Sequence, residues 1–233
     1  MKAVILAGGK GTRLRPYTTN FPKPLMPIGE KPILEIVIKQ LKDNGVKDII
    51  ITVGHLAELI ISYFKDGNDF GVNISYSRET EPLGTAGPLD LVKDQLEETF
   101  LLLNGDILTD IDFSDLINEH KQSHSIGTVA MSKREVNIDF GVIKSNSENQ
   151  IIGWDEKPQL SYFVSMGIYV FNKRIFNYLP TSTFFNVPDL ILSGRKDSEG
   201  VNTYHHQGFW LDIGREEDYA EACKVYEKIF EKK

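Results

Sequence analysis

Residues suited to holding a polyanion crowd the start of the chain. Gly8-Gly9-Lys10-Gly11-Thr12-Arg13-Leu14-Arg15 follows an apolar run directly. Glycines let backbone N–H groups approach an anion closely, because no Cβ stands in the way. Lys10, Arg13 and Arg15 add charge-assisted donors that match phosphate oxygens. The stretch is not a Walker A loop, since no Gly-Lys-Ser/Thr occurs. It is not the dinucleotide fingerprint either, because Leu14 stands where the third glycine belongs. A glycine-rich turn with solvated cations is the plainer alternative; the arginines beside the turn favour a triphosphate or pyrophosphate. Pro22-Lys23-Pro24 then restrains the backbone around one lysine, either as a rigid connector or as a cation preset to face the same anion. Asp106 in Asn-Gly-Asp and Asp212 in Asp-Ile-Gly are carboxylates that suit a hard, oxygen-seeking cation. Read from the residues alone, capping a turn and supporting the start of the last helix are the preferred roles.

Elements must bring these segments together. Lys2–Ala7 reads as a strand, and residues 33–44 show helical apolar spacing that stops at Gly45. Strands follow at 48–53, 72–76, 100–103 and 128–131, alternating with helices at 57–64, 86–96 and 115–121. That βαβ alternation predicts a parallel sheet covered on both faces. Beyond Asp139 the runs shorten, with strand-like segments at 142–143, 151–156 and 163–171. Short helices at 174–178 and 187–192, a strand at 202–205 and a helix at 216–230 complete the chain. In parallel α/β sheets ligands bind beyond the carboxyl ends of the strands. The glycine loop, residues 78–87 and Asn104-Gly105-Asp106 all fall there.

Composition narrows the partners. The 233 residues are 41% hydrophobic and 25% charged with a net charge of −7, which argues against a nucleic-acid or anionic-membrane surface. One cysteine, Cys223, excludes an internal disulfide and suits a reducing, cytoplasmic setting. No apolar run is long enough to span a bilayer and no leader is expected, because the first strand runs straight into the loop. The five histidines, His55, His120, His124, His205 and His206, show no ligand spacing with other candidates. Trp154, Trp210 and the phenylalanines are expected in the core rather than against a base.

The segments "LAGGKGTRLRPYT", "FPKPLMPI", "EPLGTAGPL", "NGDIL", "FGVI", "EKP", "GIYVF" and "WLDIG" occur in one order. Order and spacing resemble the sugar-1-phosphate nucleotidyltransferases across the whole chain, and the "LGTAGPL" segment is most similar to guanylyltransferases acting on mannose-, heptose- or amino-sugar 1-phosphates. The resemblance implies a Rossmann-like three-layer fold with a mixed, mostly parallel sheet and helices on both faces. It implies a single domain whose residues 1–135 bind nucleotide and whose β-rich residues 136–233 bind the sugar phosphate. By the same resemblance, Arg13 holds the departing phosphates, Lys23 touches the phosphates near the reacting centre, and Asp106 and Asp212 bind Mg²⁺. Leu6, Ala7, Gly8, Gly9, Gly11, Thr12, Glu79, Gly84, Thr85 and Gly87 then line the rest of the nucleotide site. Gly141, Glu156, Lys157 and Gly167 correspond to sugar-phosphate contacts, with Lys157 reaching the acceptor phosphate.

The implied reaction joins a nucleoside triphosphate, GTP in preference, to a sugar 1-phosphate and releases pyrophosphate. Such chemistry belongs to nucleotide-sugar and cell-surface polysaccharide biosynthesis. A phosphate is already a nucleophile, so no Ser-His or Cys-His arrangement is needed. Nucleic acid and membrane are not expected partners, whereas a homo-oligomer is compatible with the resemblance. Ser165 and Met166 stand where many relatives carry an asparagine and a small residue, which leaves the sugar open. The length predicts a bare catalytic domain. Use of CTP or UTP is an alternative, as is a catalytically dead protein that binds nucleotide sugars. An α/β oxidoreductase is weakened by the failed fingerprint.

Overall fold

Side chains alternate between two cores along β1 (Lys2–Ala7): Ala3, Ile5 and Ala7 enter one while Val4 and Leu6 pack against the other. A strand with both sides apolar must be central, and the rest of the architecture follows from that. The computed structural model describes residues 1–196 and 198–230. After β1 come β2 (Pro27–Ile28), β3 (Lys31–Pro32), α1 (Ile33–Asp43), β4 (Asp48–Val53), α2 (Ala57–Phe64), β5 (Asn73–Arg78), β6 (Thr99–Asn104) and β7 (Ile107–Thr109). Next are α3 (Phe113–Ser123), β8 (Gly127–Asn137), β9 (Val142–Ser145), β10 (Ile151–Asp155) and β11 (Gln159–Asn172). The described chain closes with α4 (Val187–Gly194), β12 (Val201–His206), β13 (Trp210–Asp212) and α5 (Glu216–Phe230).

Seven strands form one sheet in the order β12-β8-β11-β6-β1-β4-β5. The β6-β1-β4-β5 neighbours are parallel, as are β12 and β8. The sheet is therefore mixed and mostly parallel, as expected. One core, under α1, α2 and α3, gathers Leu34, Val37, Ile60, Phe64, Phe113 and Leu116 against Ile5, Ile51 and Leu103. The opposite core packs Leu89, Ile175, Val187 and Leu190 against Val4, Ile50, Phe100 and Leu102.

Two expectations are corrected. Simple βαβ alternation places residues 128–131 beside 100–103; instead β11 lies between β6 and β8, antiparallel to both. Its residues explain the placement. Met166, Ile168 and Val170 feed one core while Tyr169 and Phe171 feed the other, so this strand cannot sit at an edge. The helix expected over 86–96 is two 3₁₀ turns, Gly87–Leu91 and Lys93–Gln95. Leu89, Val92 and Leu96 keep their helix-like spacing and are buried. Pro88 lacks a donor N–H, and the Asp90 carboxylate is held by Ser182 N–H (3.1 Å) and Lys93 Nζ (2.8 Å), which favours tight turns.

A third, smaller core fixes the functional segments. Leu14, Met26, Ile28, Ile33, Leu108 and Ile213 pack with Ala222 and Tyr226 of α5. Leu14 follows the glycine loop and Ile213 follows Asp212, so one apolar cluster anchors both. Full burial of each such side chain contributes about 1.5–3 kcal/mol. At the other extreme, β8 and β11 stay paired from Phe163↔Lys133 to Gln159↔Asn137, beyond the ends of β12 and β6. Next to this ribbon is the β9–β10 hairpin. Trp154 (57% exposed), Phe140 (77%) and Phe163 (59%) are on the surface there, contrary to their expected place in the core. Among the described residues no helix is long and apolar enough to cross a membrane.

Candidate active site

The carboxyl ends of β1, β4, β5 and β6 open into a cleft of about 910 Å³. Its wall includes Leu6, Ala7, Gly8, Gly9, Lys10, Gly11, Thr12 and Arg13 from the first connection, with Lys23 and Pro24 beyond them. Glu79, Gly84 and Thr85 come from the connection after β5, and Asn104, Gly105 and Asp106 from the end of β6. Segments far apart in sequence thus converge where a nucleotide was expected.

Local chemistry shapes the glycine loop. Gly11 adopts φ +58°, and a Cβ there would press on Thr18 Cγ2 (3.0 Å) and Lys23 Cβ (3.3 Å). Thr18 Oγ1 donates to Gly11 O (2.7 Å), pinning the turn. A Cβ on Gly8 would sit 2.6 Å from Glu79 Oε1, so a larger residue there would push the carboxylate away from the loop. Glu79 Oε2 accepts from Leu83 N–H (3.1 Å), and burial raises the carboxyl's pKa, an effect which that hydrogen bond opposes. The backbone at Pro22 is extended, as expected, but Lys23–Leu25 then forms a 3₁₀ turn that buries the lysine. Lys23 is 7% exposed, which rules out the solvated-connector alternative.

Lys23 Nζ donates to Asp106 Oδ2 in a partly buried ion pair. The other oxygen, Asp106 Oδ1, is buried and has no hydrogen-bond partner among the described residues. Asp212 arrives through β13, which pairs antiparallel with β7 so that Asp212 lies opposite Ile107. Ile213 N–H donates to Asp106 O (3.0 Å), locking the two aspartate segments together. The Asp212 carboxyl has a raised pKa, first through burial and then through the like charge of Asp106; Lys23 and Arg13 oppose the shift. Arg13 reaches the same corner, since a Cβ on Gly214 would lie 3.2 Å from its guanidinium. Two carboxylates, one ammonium and one guanidinium therefore gather at one corner, where Arg13, Lys23 and Asp106 line the cleft and Asp212 stands next to them, outside the lining itself.

The other expected residues divide. Gly87 is buried and its N–H donates to Phe185 O (3.1 Å), so it stands behind the cleft wall rather than in it. Gly167 is also buried, packed on Asn104, a lining residue. Gly141, Glu156 and Lys157 are outside the cleft lining and close to the β9–β10 hairpin. There Trp154 Nε1 donates to Glu156 Oε2 (3.0 Å), and the Trp154 ring covers Gly141. Thr52, Gly54, His55 and Phe184 also line the cleft and were missed. Position after β4 could have signalled His55; no pattern in the sequence marks Phe184.

Comparison with known proteins gives the family. The profile described as nucleotidyl transferase matches residues 2–229. A UTP–glucose-1-phosphate uridylyltransferase of Synechocystis is 35% identical over 96% of the chain. The mannose-1-phosphate guanylyltransferase catalytic subunit beta of Dictyostelium discoideum is 36% identical over 97%. The chain spans 63% and 64% of these two relatives' lengths. The solved structure of HddC from Yersinia pseudotuberculosis, complexed with GMP-PN, superposes with a TM-score of 0.73 at 27% identity, covering 97% of this chain and 99% of that one.

Proposed function

The chain belongs to the nucleotidyl transferase family, and from that premise we propose that it joins a nucleoside triphosphate to a sugar 1-phosphate, forming a nucleotide sugar and pyrophosphate. One observation carries the reading: a single cleft is lined by the cations Lys10, Arg13 and Lys23 together with Asp106, and also by Glu79, Gly84 and Thr85. A ligand that suits this lining carries several negative charges, for the cations, and an uncharged part for the remaining wall.

The sugar-phosphate oxygen attacks the α-phosphorus, the bond from that phosphorus to the bridging oxygen breaks, and pyrophosphate leaves with the electron pair. Arg13 and the loop N–H groups hold the leaving phosphates, and Lys23 offsets charge near the α-phosphate. Positioning and charge neutralisation carry such reactions, because bringing two polyanions together is the main obstacle. Asp106 and Asp212 would hold a divalent cation, Mg²⁺ on this reading. The partnerless buried Asp106 Oδ1 fits that role, and two carboxylates leave room for the waters and phosphates that such an ion keeps. When bound, the ion supplies neutralisation of polyphosphate charge. Residues 1–135 form the nucleotide half and 136–233 the sugar-phosphate half, and the single cysteine suits the cytoplasm.

Pyrophosphate release from the four nucleoside triphosphates against a panel of sugar 1-phosphates, with Mg²⁺, tests the proposal. We expect release only with both substrates, and GTP as the preferred donor. The second reading, UTP, rests on the uridylyltransferase relative; CTP or UTP exceeding GTP tenfold in kcat/KM would overturn the guanine preference. Lys157, exposed near the hairpin, is expected to act on the sugar side alone. Lys157→Ala should raise KM for the sugar phosphate while nucleotide affinity by calorimetry stays near wild type. A large loss of nucleotide affinity would move Lys157 to the other half of the site.

A further inference from the structure

Phe184 is 60% exposed, yet it belongs to a segment that is tied down on both sides. Ser182 N–H donates to Asp90 Oδ2 (3.1 Å), and Phe185 N–H donates to Leu83 O (2.9 Å). Phe185 O accepts from the N–H groups of Ala86 (2.9 Å) and Gly87 (3.1 Å). Asn186 Oδ1 accepts from Thr85 N–H (3.4 Å), and Thr85 Oγ1 accepts from Val187 N–H (2.9 Å). Residues 182–187 are thus stitched to residues 83–90, and Phe184 is the one phenyl ring among the described residues lining the cleft.

We propose that Phe184 is the face on which the nucleobase stacks. The inference rests on the transferase reading, because it needs the triphosphate to occupy the cationic end. With the phosphates held by Lys10, Arg13 and Lys23, the base is left the part of the lining formed by Gly84 and Thr85, which the Phe184 segment braces. A ring held by a stitched backbone loses little freedom when a ligand arrives, so its contact area converts efficiently into affinity. Stacking tolerates any base, since every base presents a π-face. Phe184 therefore supplies affinity for nucleotides as a class, and hydrogen-bonding groups elsewhere on the wall choose among them.

Calorimetry with GTP, UTP and inorganic tripolyphosphate, each with Mg²⁺, separates the contributions. Phe184→Ala should weaken both nucleotides by roughly 5- to 150-fold and leave tripolyphosphate affinity unchanged, as expected for loss of one base–aromatic stack. Phe184→Trp should restore nucleotide affinity, whereas Phe184→Leu, apolar but without a π-face, should not. The ring is exposed, so thermal stability should not change in any of the three. Nucleotide affinity in Phe184→Ala equal to wild type would overturn the stacking role and leave the transferase reading intact. An equal fall for tripolyphosphate would overturn it too, because the residue would then act on the phosphate end. A wild type that binds tripolyphosphate but neither nucleotide would bring down both readings.

Discussion

Asp212→Asn is expected to fold normally and to lose turnover on the order of 10²–10³-fold, as removal of one preorganised charge-stabilising group does elsewhere. A neutral amide is a much poorer ligand than a carboxylate for a hard divalent cation. Raising Mg²⁺ or Mn²⁺ should recover part of the rate, and Mn²⁺ binding followed by electron paramagnetic resonance should weaken in parallel. Asp106→Asn should lose activity alike, and the double variant should lose less than the product of the two, because groups serving one unit are not additive. Stability separates the pair. Burial and Asp106 both disfavour the Asp212 charge, so Asp212→Asn should leave stability level or slightly higher. Asp106→Asn strips Lys23, 7% exposed, of its anionic partner, and should lower stability by about 1–3 kcal/mol in urea titration. Wild-type metal dependence in Asp212→Asn would return this residue to a purely structural role.

Arg13→Ala should also keep the fold, because its guanidinium is exposed while the neighbouring Leu14 does the anchoring. Turnover should fall on the order of 10²–10³-fold through loss of one cation aimed at the leaving phosphates. The guanidinium also lowers the pKa of Asp212, so Arg13→Ala should leave that carboxyl higher still. Arg13→Lys should recover part of the rate, since it retains the charge but not the paired donors. Near-normal single-turnover rates in Arg13→Ala would remove the residue from the reaction.

Much of this was legible in the chain because it is local. A glycine loop after a strand declares itself through composition and position, and a helix such as α1 through apolar spacing. The cleft's first wall, from Leu6 to Arg13, follows from that loop and from where parallel sheets bind ligands. What the sequence concealed depends on distant partners. β11 reads as one more strand; only its apolar residues on both faces, once a sheet exists to receive them, send it between β6 and β8. The 86–96 stretch shows helical spacing, but Pro88 and the hold of Ser182 on Asp90 decide otherwise. Phe184 gains its place from backbone bonds to residues roughly a hundred positions away, and Trp154 from a hairpin that leaves the body of the protein.

The central seat of β11 has a consequence for how this protein can be altered or inherited. A strand from the second half lies between two strands of the first, with its Ile168–Asn172 stretch laddered to β6 and its length to β8. Splitting the gene after residue 135 would leave β6 with a bare edge lined by Phe100, Leu101, Leu102 and Leu103, an aggregation-prone surface rather than a nucleotide-binding module. The halves therefore cannot be shuffled as interchangeable cassettes. The excursion from residue 138 to 158, whose two ends meet where Ile138 N–H donates to Pro158 O, is by contrast a piece that can be replaced while the strand that returns into the sheet is kept.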